Sequence, residues 1–136
     1  MPSPSLTLCP CGALSSRRQP LALGDCCGRY LDHFESTPAP DAERLMRSRY
    51  CAFVLQRRDY LQVTWHTSTR PAALDFEPDA RWLGLDVRSH RVLDADHAEV
   101  EFVARYRVDG RAVRLHERSR FTREAGRWLY VDGDSR

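Results

Sequence analysis

Lysine, asparagine and isoleucine are absent from this chain of 136 residues. All 21 cationic side chains are therefore arginine. Without lysine there is no Schiff-base amine, no Walker phosphate-binding lysine and no lysine general base. The three missing residues share AT-rich codons, so a GC-rich genome explains the arginine content better than nucleic-acid binding does. Net charge is only +2 and no single-sign block stands out, so nucleic acid is not indicated as a partner. Apolar runs stop well short of the roughly 18 residues of a membrane helix. The start, Met1-Pro2-Ser3-Pro4, has neither the basic nor the apolar region of a secretory leader. The expectation is a cytoplasmic protein with no membrane partner, in which thiols stay reduced and clustered cysteines read as metal ligands.

Four cysteines in two tight pairs are the strongest motif present. Cys9 and Cys11 precede Gly12, and Cys26 and Cys27 precede Gly28. Four soft thiolates can close a tetrahedral shell around one ion, with zinc as the expected occupant and a structural role, because no position is left for water. The alternatives are free thiols, a disulfide pair, or iron–sulfur or redox use. Gly12 and Gly28 allow positive φ beside the ligands. Tyr30 to Phe34 is expected to form one helical turn, and His33 is a possible partner to the ligands. Thr37-Pro38-Ala39-Pro40 reads as a linker. The fifth cysteine, Cys51, falls within a helix and reads as packed or half-exposed.

Asp41 is placed to cap a helix from Ala42 to Gln56. Its apolar face carries Leu45, Met46, Tyr50, Phe53 and Val54, with Arg49 among them. A second short helix is expected from Tyr60 to His66, capped by Asp59, and residues 67–80 read as loop. Four strands follow: Trp82–Leu93, Ala98–Val108, Arg111–Arg123 and Arg127–Asp132. Asp109-Gly110 is a two-residue hairpin signal for a type I′ turn. With that turn, Tyr106 faces Val113, Ala104 faces Leu115, Phe102 faces Glu117 and Val100 faces Ser119. The opposite face pairs Glu101 with Arg118 and Glu99 with Arg120. A one-residue slip would destroy both patterns. Helices followed by a meander indicate an α+β fold with helices on one sheet face.

Polar residues interrupt the inward face. If Ala125-Gly126 is a two-residue loop, Phe121 pairs with Tyr130 and Ser119 with Asp132. Glu117, Ser119 and Asp132 then share the inner face, and Arg49 points toward them. The economical expectation is an ion pair of Arg49 with Glu117 or Asp132. The sharper one is a pocket whose carboxylate binds ligand or acts as a base, with His66 at its mouth. Pocket candidates are Arg49, Tyr50, Trp65, His66, Glu117, Ser119, Trp128 and Asp132. His116 reads as solvated on the polar face, and His90 and His97 as isolated.

The motifs CPCG and DCCG resemble the SEC-C metal-binding motif. LMRSRYCAFV (45–54), YLQVTWH (60–66), WLGL (82–85), VEFVARY (100–106), ERSRF (117–121) and GRWLYVDG (126–133) resemble the YchJ family of uncharacterised bacterial proteins. The resemblance implies a nuclear-transport-factor-2-like (NTF2-like) cone of helices on a curved antiparallel sheet, and zinc on Cys9, Cys11, Cys26 and Cys27. The implied division is a knuckle and connecting turn at 1–36 and the α+β domain at 41–134. In the translocase that gave the motif its name it serves partner binding, to a chaperone and the ribosome. The loop between cysteine pairs holds 14 residues here, longer than usual for the motif, with Arg17-Arg18 as its basic pair. Two functions follow: an adaptor whose knuckle docks a protein or ribosomal partner, and a small-molecule binder or small enzyme using the cone.

Overall fold

The computed structural model describes residues 7–136. The Met1–Pro4 segment and the start of the 1–36 unit lie outside the described residues. After the first cysteine pair come a 3-10 turn, Leu23–Asp25, and a short helix α1, Gly28–Leu31. The expected turn at Tyr30–Phe34 thus begins earlier, directly on the second cysteine pair. Helix α2 spans Ala42–Leu55 and α3 spans Arg58–Val63. The sheet is β1 Arg81–Asp94, β2 His97–Val108, β3 Arg111–Glu124 and β4 Arg127–Ser135, antiparallel in the order β1-β2-β3-β4.

Local chemistry accounts for most boundaries. The Asp41 carboxylate accepts from the Arg44 amide at 2.7 Å, satisfying a free donor at the start of α2. Gln56 closes α2 in the left-handed region, at φ 57°. Helix α3 starts at Arg58 and stops at Val63, so Asp59 sits inside its first turn, not at its cap. Trp65 and His66 leave the helix because their backbone is claimed by the sheet: Trp65 bridges Tyr130, and the His66 amide donates to the Tyr130 carbonyl at 2.7 Å.

The β2–β3 register is the one the charges predict, including Phe102 with Glu117, Val100 with Ser119 and Glu101 with Arg118. Asp109 and Gly110 both have positive φ, as do Ala125 and Gly126, so both turns are of the primed type that suits sheet twist. One expectation fails. A bulge next to Phe121 inserts Val131 into β4, so Arg120 pairs with Asp132 and Ser119 with Gly133. Asp132 therefore lies on the outer face, where Arg120 Nε donates to it at 2.6 Å. Three further irregularities interrupt β1 against β2. Bulges bend strands, and these curve the sheet around α2.

The core forms between α2 and the inner sheet face, with Leu45, Ala52, Leu61, Val100 and Phe121 buried. Three arginines tie the N-terminal segment to this body. Arg47 donates to the Cys11 carbonyl at 3.0 Å, Arg57 to the Leu31 carbonyl at 3.0 Å, and Arg127 to the Phe34 carbonyl at 2.6 Å. No helix among the described residues is long and apolar enough to cross a membrane.

Candidate metal centre and binding cavity

The four cysteines predicted as ligands converge. Cys9, Cys11, Cys26 and Cys27 are all buried, and their sulfurs lie within 4.8 Å of one another. Sγ–Sγ separations are 3.5 Å for Cys9–Cys11, 3.7 Å for Cys11–Cys26 and 4.0 Å for Cys26–Cys27. Metal–sulfur bonds of about 2.3 Å in a tetrahedron put neighbouring sulfurs about 3.8 Å apart. The donor set therefore fits one soft, four-coordinate ion. Gly12 supplies the positive φ that turns the chain between ligands, and the Ala13 amide points at Cys11 Sγ from 3.4 Å. Gly28 is needed for a different reason: a Cβ there would stand 2.7 Å from the Leu23 carbonyl oxygen.

Without a cation, four thiolates packed this closely would repel one another, so the cluster cannot ionise fully. Contact with Cys26 drives the Cys11 thiol down, and contact with Cys11 drives Cys26 up. A divalent ion removes that conflict by holding all four as thiolates. Burial pulls the Arg47 guanidinium down, but Glu43 and the Cys11 sulfur more than offset it and keep it charged beside the cluster.

Cys51 is the residue the sequence did not connect to this site. It is fully buried in α2, with its Sγ 3.4 Å from Cys9 Sγ. It joins the knuckle to the helix without belonging to the four-sulfur set. Only the tertiary fold reveals this, because 42 residues separate the pair. His33 is exposed, and no contact among the described residues makes it a partner to the ligands.

On the other side of α2 lies a cavity of about 340 Å³. That is within the range of small-ligand sites. Helix α2 contributes Met46, Arg49, Tyr50 and Phe53, and the sheet contributes Trp82, Phe102, Ala104 and Tyr106 from β1 and β2. Glu117, Ser119, Phe121 and Tyr130 come from β3 and β4. Asp75, Phe76 and Glu77 reach over from the loop before β1, which sequence patterning had marked only as loop.

Arg49 is buried, with 6% of its surface exposed, yet it has no carboxylate partner among the described residues. The expected ion pair with Glu117 or Asp132 does not form. Instead, Nη1 donates to the Leu61 carbonyl at 2.8 Å and to Thr64 Oγ1 at 2.7 Å. Its guanidinium lies 5.0 Å from the Trp65 ring centre and 4.7 Å from that of Tyr130. These rings stabilise the cation by their quadrupoles. Burial still drags its pKa down to about 10, so it remains charged at neutral pH. Glu117 accepts from the Ser119 hydroxyl and, at 3.5 Å, from the Tyr130 hydroxyl. Burial pushes Tyr130 up to about 12, helped by Glu117, so it stays a neutral donor. Gly133 makes room for this carboxylate, since a Cβ there would collide with Glu117 Oε2 and Cδ.

Of the eight predicted pocket residues, Arg49, Tyr50, Trp65, Glu117 and Ser119 line the cavity, and three do not. Asp132 is turned out by the Val131 bulge. His66 is held at the surface, with Nε2 2.8 Å from Glu124 Oε1 and Nδ1 2.7 Å from Ser68 Oγ. Trp128 fills the core beyond the cavity wall, across from Arg123. His116, read as solvated, instead pairs with Glu101 at 2.8 Å.

The family model described as "YchJ, middle NTF2-like domain" matches residues 41–133. The chain belongs to the YchJ family. Its relatives carry the name UPF0225 protein. That of Polaromonas naphthalenivorans is 71% identical, covering 94% of this chain and 97% of the relative. That of Bordetella pertussis is 54% identical, covering 94% and 92%. Two solved structures share the fold. A SEC-C motif containing protein from Psychrobacter arcticus is 33% identical, with a TM-score of 0.78, covering 95% of this chain and 82% of the other. One from Rhodopseudomonas palustris, solved in solution, is 31% identical with a TM-score of 0.80, covering 96% and 99%. The architecture of this YchJ chain is thus an NTF2-like α+β domain with a SEC-C-type cysteine cluster on its N-terminal side.

Proposed function

We propose that this YchJ-family chain is a small-molecule-binding protein whose cone is the binding site and whose cysteine cluster holds a structural zinc ion. One observation carries the reading: an open, largely aromatic cavity ends on a buried cation that makes no ion pair among the described residues. Burying a charge this way costs folding energy, and a purely structural arginine would be expected to take an ion pair. Binding describes the site better than catalysis. The imidazole that acid–base chemistry would use, His66, is engaged at the surface. The knuckle's closed thiolate set has no open position for substrate, which is why its ion is assigned a structural role.

Filling the cavity tests the reading without touching the knuckle. Ala104 lines the cavity and is buried. Naphthalene should quench the fluorescence of Trp65 and Trp82 saturably in the parent chain. Ala104→Leu should abolish that binding while keeping the metal and the fold. Equal quenching in both proteins would refute the cavity as the site.

A second reading rests on the knuckle. Leu8 and Leu14 are exposed there, 57% and 55%, near the Arg17-Arg18 pair. Apolar tips beside cations suit a protein or ribosomal partner. Sedimentation with ribosomes, lost on Leu14→Glu, would support this adaptor role. Equal sedimentation of both proteins, or of neither, would remove it.

A further inference from the structure

We infer that the cone selects an uncharged planar heterocycle with a lactam-type edge, a carbonyl acceptor for Arg49 beside an N–H donor for Glu117. The inference rests on the small-molecule reading above and adds the ligand class. A guanidinium has five N–H donors, and Arg49 Nη1 accounts for two of them. Nε and Nη2 have no protein acceptor among the described residues, although the side chain lines the cavity. Among the described residues only His90 Nε2 is a buried side-chain polar atom without a partner, so these Arg49 donors are open to the cavity, where a ligand acceptor can reach them. Glu117 supplies the opposite need. Its Oε2 is bound by Ser119 and Tyr130, and its Oε1 has no donor among the described residues. Tyr130 contacts both groups, its ring against Arg49 at 4.7 Å and its hydroxyl against Glu117 at 3.5 Å.

Charge decides among ligand classes. A free anion would meet Arg49 but also Glu117 at the floor and Asp75 and Glu77 at the mouth. A cation would be driven against buried Arg49. A neutral molecule carrying both an acceptor and a donor satisfies the floor without adding charge. The walls set the shape. Trp82 lies 4.9 Å from Tyr106 and 5.7 Å from Phe53, and Trp65 lies 5.1 Å from Tyr130. Such walls favour a flat, apolar body.

Three probes of similar size separate the possibilities: 2-quinolone (a planar lactam), naphthalene (the same body without the edge) and 2-naphthoate (an anion). Titration against the Trp65 and Trp82 fluorescence of the full, metal-loaded chain should give 2-quinolone the highest affinity. Two hydrogen bonds to charged groups should favour it over naphthalene by roughly 10- to 100-fold. Arg49→Met should remove most of that advantage, and an unchanged unfolding midpoint shows that the variant is folded. Gly133→Ala, which displaces the Glu117 carboxylate, should do the same. Glu117→Gln should shift preference toward 2-naphthoate, because a carboxylate has been neutralised. If 2-quinolone binds no better than naphthalene, or if 2-naphthoate binds best to the parent chain, the lactam class is wrong and the cavity reading stands. If none of the three binds, both fall.

Discussion

Serine in place of Cys11 should empty the metal centre and unfold the knuckle while the sheet stays folded. Cys11 is completely buried, and its sulfur faces both Cys9 and Cys26. A serine hydroxyl is a poor substitute for a soft thiolate. Structural zinc contributes about 10–16 kcal/mol of apparent binding energy in small modules, and in a segment with little apolar core that energy is folding energy. Among its described residues the knuckle has no long helix or ladder of its own to fall back on: a 3-10 turn, a four-residue helix and isolated bridges make up its regular structure there. The sheet should survive, because Val100, Phe102 and Phe121 pack around strand pairings that do not involve residues 7–31. Metal content by mass spectrometry and amide exchange along the chain would read both effects together. Cys51→Ser is the matched control. Its sulfur touches Cys9 but stands outside the four, so that variant should keep one ion per chain. Full metal content in Cys11→Ser, or loss of protection across β2 and β3, would contradict this division.

Arg49→Met should separate binding from folding. If Arg49 were the anchor of a buried ion pair, removing it would cost about 3–5 kcal/mol. It has no such partner, and its burial penalty is offset by two hydrogen bonds and two aromatic faces. Methionine keeps the volume and makes good contacts with Trp65 and Tyr130. Leu61 loses its arginine donor but still lies 3.4 Å from the Thr64 hydroxyl. Stability should therefore change by less than about 1 kcal/mol, in either direction. Affinity for a ligand that uses the cavity floor should fall at least about tenfold. Denaturant unfolding and ligand titration on the same sample would measure both. A large destabilisation would make Arg49 a structural residue and weaken the case for the cavity as its reason to exist.

Much of this arrangement was legible in the chain, for identifiable reasons. The β2–β3 register followed from two faces that had to agree, apolar on one side and oppositely charged on the other. The cysteine set followed from spacing, and the start of α2 from Asp41. What escaped was whatever depends on a single extra residue or on distant contact. Val131 reads like any strand residue, yet its insertion turns Asp132 outward and brings Gly133 opposite Ser119. The ion pair expected for Arg49 rested on Asp132 facing inward and on Glu117 being closer than the fold allows. Nothing local told that Trp65 and Tyr130 would hold the cation instead, since their contact is made only when the chain after α3 joins β4. The same junction pulled His66 out of the helix and away from the pocket. Cys51 and Phe76 were invisible as site residues because their partners are supplied by other elements of the fold.

The most direct measurement uses the three tryptophans as internal reporters. Trp65 and Trp82 line the cavity, whereas Trp128 is in the core outside it. In a two-dimensional proton–nitrogen spectrum of the full chain, 2-quinolone should shift the indole signals of Trp65 and Trp82 saturably and leave Trp128 in place. Movement of Trp128 alone, or no movement of any of the three, would contradict the lactam ligand, and the same result with naphthalene as well would contradict a ligand site in the cone.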